Sequence, residues 1–310
     1  LNFRNVMSEL TAYAEEVIRG ALPEVKGQNR TVLDAMTYSV EAGGKRLRPI
    51  LMLLAYRMCG GNGTIIEPYM AAIEMIHTYS LVHDDLPEMD NDELRRGKPT
   101  THVAYGQAMA VLAGDGLLNY AYETMSAALL HTEAGEREGC AEALAILAEK
   151  AGVFGMVGGQ CLDVEAEKKD LDLSEEQILY VYENKTAALL QASLMCGAAL
   201  AGAGKSSPEV MKRLEQAGYD LGIAFQLQDD LLDITSTTDT LGKPVGSDER
   251  NGKKTYVSYL GMEEAQKKQK ELSEEAVSLI ETIDTGDDEM RNKAKLELAG
   301  LIRELVNREK

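Results

Sequence analysis

The chain has 310 residues, 51 acidic against 32 basic, and a formal charge of −19 at pH 7. That balance argues against a general nucleic-acid or anionic-membrane surface, and it makes any tight cluster of cations informative. A hydrophobic share of 45% with only 7 prolines describes a globular chain long enough to bury a large core.

Helical periodicity recurs from the start, while strand-like alternation is almost absent. Val6, Leu10, Tyr13, Val17 and Leu22 trace one apolar stripe, and Val32, Met36, Ser39 and Val40 another. The pattern predicts helices over 3–20, 29–42, 47–59, 65–86, 100–112, 114–130, 138–161, 174–204, 207–235, 251–259, 262–284 and 287–307. Pro23, Gly60 to Gly63, Pro68, Pro87, Pro99, Gly135 and Pro208 punctuate them. Ser174 followed by Gln177 has the spacing of a capping box. The run Ala187 to Gly204 is interrupted by Gln191 and diluted by small residues, so it is expected to be a central core helix rather than a membrane span. Between Asp239 and Gly252 the helical stripe lapses into a surface loop with Lys243, Lys253 and Lys254 near its edges. Beyond it, alternating charge on a helical frame describes solvated outer helices. No linker composition divides the chain, so 1–310 is expected to form a single all-α domain.

Cys59, Cys140, Cys161 and Cys196 are scattered without short metal-ligand spacing and read as reduced thiols of a cytoplasmic protein. The opening is amphipathic and acidic, without the apolar run of a secretory signal. His83, His102 and His131 have no companion spacing for zinc. "LAGAGK" follows a helix rather than a strand and lacks the Ser/Thr geometry of a nucleotide loop.

Two acidic clusters carry the chemistry. "HDDLPEMDNDELRRGK" places Asp84, Asp85, Glu88, Asp90, Asp92 and Glu93 beside an apolar run and sets Arg95, Arg96 and Lys98 next to them. On a regular helix Asp84 and Asp90 would diverge by about 120 degrees. Pro87 between them predicts a local bulge that returns Asp90 toward Asp84. In "FQLQDDLLD", Asp229 and Asp233 fall at i and i+4, about 6 Å apart on one helical face, with Asp230 beside them. Carboxylates without a complete cage suit Mg2+, which keeps waters and completes its octahedron with substrate phosphates. The cations gather correspondingly. Lys45, Arg46 and Arg48 precede an apolar helix, Arg95, Arg96 and Lys98 form a second set, and Lys185 with Thr186, Lys243, Lys253 and Lys254 a third. On so acidic a chain they imply phosphate oxygens. His77, two turns before Asp84, suits either a donor to an anion or a hydrogen-bonded core imidazole.

In order and at similar separations, "GGKRLRP", "HDDLPEMDNDELRRGKPT", "KTA", "FQLQDDLLD" and "GKPVGSDERNGKKTY" resemble the motifs of the short-chain trans-isoprenyl diphosphate synthases, within them the bacterial farnesyl diphosphate synthases. The resemblance covers essentially the whole chain; Glu93 stands where relatives often carry Asp. It implies an all-α bundle, usually a homodimer, around a deep central cavity, with an allylic diphosphate such as dimethylallyl or geranyl diphosphate held through three Mg2+ ions. Asp84, Asp90 and Asp229 then match metal ligands, with Asp85, Asp230 and Asp233 supporting or partly ligating. Arg95, Lys185, Gln226, Lys243 and Lys253 match groups around the allylic diphosphate, and Thr186 lies near the departing group. Gly44, Lys45, Arg48, His77 and Arg96 match the isopentenyl diphosphate site. Tyr79 and Ser80, five and four residues before Asp84, resemble the point where such enzymes limit product length. Tyr79 there favours a fifteen-carbon product, with core filling as its other reading. The rivals are a twenty-carbon synthase, a terpene cyclase, which has no need of a second diphosphate site, and a non-catalytic helical partner subunit.

Overall fold

A computed structural model of the chain describes residues 3–235 and 255–306. Its helices are α1 (Phe3–Ala21), α2 (Arg30–Val40), α3 (Leu47–Met58), α4 (Glu67–Asp84), α5 (Thr101–Tyr105), α6 (Gln107–His131), α7 (Arg137–Ala151), α8 (Met156–Lys169), α9 (Glu175–Val181), α10 (Ala188–Leu200), α11 (Ala203–Ser206), α12 (Pro208–Thr235), α13 (Tyr256–Leu260), α14 (Met262–Glu281) and α15 (Glu289–Val306). A π-helical turn, Tyr182–Ala187, joins α9 to α10. Among the described residues the only sheet is a hairpin of β1 (Leu94–Arg95) and β2 (Lys98–Pro99), antiparallel with Leu94 opposite Pro99 and Arg95 opposite Lys98. The all-α architecture expected from the periodicity is the one observed.

The centre of the bundle is built from helices that bury nearly every face. In α3 the run from Pro49 to Tyr56 is buried without interruption, and α10 is buried from Ala188 to Leu194 and again from Cys196 to Leu200. α10 packs on α3, α7 and α12, while α4 packs on α6 and α3. One continuous apolar cluster joins these helices to the inner faces of α14 and α15. No described helix is long and apolar enough to cross a membrane.

Boundaries depart from the periodicity in three places. The break expected near residue 113 falls at Gly106, which has φ +87 and caps α6. The helix expected over 138–161 is two helices, because the chain turns through Gly152 to Gly155 and starts again at Met156. A Cβ on Gly155 would lie 2.1 Å from the Lys150 carbonyl oxygen, so the turn needs glycine. The hairpin was not expected. Its two-residue loop, Arg96 and Gly97, has φ +53 and +76, the pair of positive angles that a type I′ turn requires. The capping box of Ser174 and Gln177 forms as its spacing predicts.

The π-helical turn is seated against α12 with no room to spare. A Cβ on Gly222 would lie 2.2 Å from the Ala187 Cβ and 2.4 Å from its Cα. Gly222→Ala is therefore expected to destabilise the fold by about 1–3 kcal/mol, the usual scale for overpacking. Chemical denaturation measures this, and an unchanged midpoint would contradict the packing described.

Candidate active site

Four elements converge on one cavity of about 1150 Å3: the second half of α4, α8 along its length, the π-helical turn and the second half of α12. The hairpin and the loop before α3 complete its rim. Pockets for single drug-sized ligands run to about 300–1,000 Å3, so this one has room for two substrates.

α4 ends at Asp84 because the following residues turn rather than continue. The Asp90 amide donates to the Asp84 carbonyl at 2.9 Å and the Asn91 amide to Leu86 at 3.1 Å, with Asn91 at φ +55. Pro87 thus ends the helix, and the wide turn brings the Asp90 backbone back onto Asp84. The Asp84 side chain faces the cavity and accepts from Gln160 Nε2 at 2.7 Å. Burial pushes its carboxyl up to about 6, with Asp90 and Asp85 adding to the effect and Lys185 opposing it. Asp229 of α12, an exposed residue, lines the same cavity. Asp90 is exposed, Asp233 is half-buried, and neither is among the cavity-lining residues.

The neighbouring carboxylates are engaged elsewhere. Asp85 is buried and gripped by Arg95, whose Nε lies 2.8 and 2.9 Å from its two oxygens. Asp230 is buried too, accepting from the Tyr182 hydroxyl and, at 3.1 Å, from Gln226 Nε2. Neither is among the residues lining this cavity. Each instead orients a residue that does line it, Arg95 and Gln226. Gln226 Oε1 in turn accepts from Thr186 Oγ1 at 3.0 Å. The Tyr182 hydroxyl also accepts from the Tyr256 amide at 2.9 Å, tying the start of α13 to the same network.

Beside the carboxylates the same cavity carries a shelf of cations. Lys45, Arg48, Arg96 and His77 all line the cavity. Arg48 Nε is buried with no hydrogen-bond partner among the described residues. Burial, aided by Arg96 and opposed by Glu74, pushes its guanidinium down to about 10. His77 is held well below the usual imidazole range by burial and then by Arg48, Arg96, Arg95 and Arg46. Arg48 and His77 are thus buried among like charges, a condition an arriving anion relieves. Gly44 lets the shelf close, since a Cβ there would sit 2.8 Å from Arg96 Nη1. Arg46 departs from the expected phosphate set. It is buried, donating to Glu74 Oε1 and to the Val40 carbonyl, both at 2.8 Å.

Lys185 and Thr186 project into the cavity from the π-helical turn. Lys185 pairs with Asp163 of α8, a contact the sequence did not announce. Gln160 and Asp163 were both missed; the signal lay in "GGQCLD", where polar residues three apart follow two glycines on a helix start. A Cβ on Gly159 would lie 2.2 Å from the Lys185 amide, so that glycine lets α8 meet the turn. Tyr79 and Ser80 line the cavity with His83, one turn below Asp84. Lys243 and Lys253 lie outside the described residues.

Among the described residues no three acidic, histidine or cysteine side chains converge on one position to hold a metal ion. The donors available are the carboxylate oxygens of Asp84 and Asp229 on two helices lining one cavity, which fits a hard divalent ion that brings further oxygen ligands with it.

The chain belongs to the polyprenyl synthetase family, whose model matches residues 29–291. It is a prenyltransferase by family, a short-chain prenyl diphosphate synthase acting on isoprenyl diphosphates. It is similar to a farnesyl diphosphate synthase of Geobacillus stearothermophilus, 47% identical over 76% of each chain. It is also similar to a geranylgeranyl diphosphate synthase of Cyanophora paradoxa, 41% identical over 89% of each. A geranyltransferase of Helicobacter pylori, solved with magnesium and isoprenyl diphosphate, superposes with a TM-score of 0.81 at 30% identity, over 98% of each chain.

The raised Asp84 carboxyl has a consequence for stability. It titrates near 6 when folded against about 3.8 ordinarily, so the folded state binds more protons in between and loses stability as pH rises through that window. In metal-free buffer Asp84→Asn is therefore expected to melt higher than the parent above about pH 6, and the gain to vanish below about pH 3.8. Thermal melts across that range check this; an Asn variant no more stable than the parent at the upper end contradicts it.

Proposed function

We propose that the protein is a Mg2+-dependent farnesyl diphosphate synthase, joining isopentenyl diphosphate to dimethylallyl and then to geranyl diphosphate to give a fifteen-carbon product. The observation that carries this is one large cavity lined together by Asp84 of α4, Asp229 of α12, the cations Lys45, Arg48 and Arg96, and Tyr79 one turn before Asp84. Mg2+, three ions by the family resemblance, would be held by Asp84, Asp90 and Asp229 together with the allylic diphosphate. Bound there it supplies positive charge that stabilises the departing diphosphate.

The chain's own residues do the rest. Lys185 and Arg95 present fixed positive charge where the allylic C–O bond breaks and negative charge collects on diphosphate. Arg48, Arg96 and Lys45, with His77 as a neutral donor, hold the diphosphate of isopentenyl diphosphate so that its double bond faces the allylic C1. Leu81, Met156, Val157, Val164 and Phe225 exclude the water that would intercept the cation. The double bond supplies the electron pair of the new C–C bond, and the proton lost from C2 passes to the released diphosphate. No protein base is required. Thr186 and Gln226, linked to each other, place oxygen dipoles near the cation. Lys243 and Lys253 add charge around the allylic diphosphate in the same scheme. A cytoplasmic homodimer belongs to this reading, and Val111, Leu112 and Leu130 leave an apolar face of α6 exposed for a second copy.

A twenty-carbon synthase is the second reading, supported by the similarity to the Cyanophora paradoxa geranylgeranyl diphosphate synthase. Incubation with dimethylallyl and isopentenyl diphosphates and Mg2+, followed by chain-length analysis, separates the two. The expected main product is farnesyl diphosphate; geranylgeranyl diphosphate would install the second reading, and no condensation would remove both. Asp84→Ala is expected to cut turnover at least about a hundred-fold, the scale for losing one electrostatic contact in a transition state. Tyr79→Ala is expected to release longer products, and an unchanged spectrum would refute the role of Tyr79 as a floor.

A further inference from the structure

Tyr79 is a bulky side chain on the cavity wall, but bulk limits a growing chain only when the ring is held in place. Its hydroxyl makes no hydrogen bond to any described residue, so packing alone fixes it. The ring that packs on it is His83. His83 follows Tyr79 by one turn on the same face of α4, and the two rings meet edge to face with centroids 5.7 Å apart and an interplanar angle of 79°. Both rings line the cavity.

His83 is itself held from the far side. Its Nε2 lies 3.1 Å from the Val111 carbonyl oxygen of α6, which can only accept, so Nε2 carries the proton. The imidazole occupies a notch that exists because residue 114 is glycine. A Cβ on Gly114 would sit 2.1 Å from His83 Nε2 and 2.4 Å from Cδ2. A chain of contacts therefore runs from the α6 backbone through His83 to Tyr79. Residues on α4 that line the cavity but lack such bracing, such as Ser80, bond only within their own helix, here to the His77 carbonyl at 2.9 Å.

We propose that His83 is a positioning residue for product length, bracing Tyr79 against α6 through the notch at Gly114. Removing the imidazole leaves the Tyr79 phenol free to tilt into the vacated space, which deepens the cavity for the growing chain. This rests on Tyr79 being the floor, as the proposed function holds.

The test compares products from dimethylallyl and isopentenyl diphosphates for the parent, Tyr79→Ala, His83→Ala and Gly114→Ala. His83→Ala is expected to move product from the parent's length toward that of Tyr79→Ala. Gly114→Ala, which keeps the imidazole but fills its notch, is expected to shift product in the same direction to a smaller extent. Chain length is a ratio among products of one enzyme, so general loss of stability does not move it, and the glycine variant keeps the test open should His83→Ala fold poorly. If Tyr79→Ala lengthens the product while His83→Ala and Gly114→Ala keep the parent's distribution, the bracing role is overturned and the floor stands. If Tyr79→Ala itself changes nothing, the floor and the brace fall together.

Discussion

The cost of keeping charge at the edge of an apolar cavity governs this structure. Burial raises the Asp84 carboxyl to about 6, and on the shelf beside it burial and mutual repulsion depress Arg48 and His77. Asp84, Arg48 and His77 are each desolvated, and desolvation penalises the charged form of either sign. A ligand that carries both divalent cations and phosphate oxygens satisfies both at once, cations toward the carboxylates and oxygens toward the shelf. In the proposed reaction, such prepositioned charge leaves little reorganisation for the moment of bond cleavage.

The surrounding structure keeps that arrangement from collapsing. Asp85 and Asp230 are buried carboxylates used to aim other groups, one fixing Arg95 and the other fixing Gln226 and the Tyr182 hydroxyl. Arg46 and Glu74 form a buried ion pair beneath the shelf that anchors the start of α3 to α4. Lys168 donates to the Met89 carbonyl at 3.0 Å, tying α8 to the loop that follows Asp84. Glycines set the spacing. Where Gly159 and Gly222 meet the π-helical turn, the absence of a Cβ lets three elements bring their polar ends to one point.

Much of this was legible in the sequence. The helical class followed from periodicity, and two acidic clusters beside apolar residues could be read at Asp84 to Asp90 and Asp229 to Asp233, of which Asp84 and Asp229 line the cavity. Pro87 signalled that α4 could not continue to Asp90, and the observed turn returns the Asp90 amide to the Asp84 carbonyl. What could not be read was partnership across the fold. Arg46 and Arg48 look alike two residues apart, yet Arg46 begins α3 at φ +50 and turns into a buried pair with Glu74, while Arg48 one half-turn later faces the cavity. Asp85 and Asp84 are adjacent and diverge in the same way, one toward Arg95 and one toward the cavity. Gln160 and Asp163 went unnoticed because a polar pair on a half-exposed helix is ordinary until Asp84 and Lys185 are known to lie opposite. The hairpin at Leu94 to Pro99 is too short for alternation to announce a strand, and only its Arg96-Gly97 turn gives it form.

The central claim is that the two carboxylate walls and the cationic shelf serve one shared ligand. Calorimetry with Mg2+ alone, with a non-ionisable allylic diphosphate analogue alone, and with both together tests it most directly. The account predicts weak binding of either component by itself and a large mutual gain in affinity, a gain lost in both Asp84→Asn and Asp229→Asn. Tight binding of Mg2+ without the analogue, or equal affinity for the analogue in chelator, would contradict it.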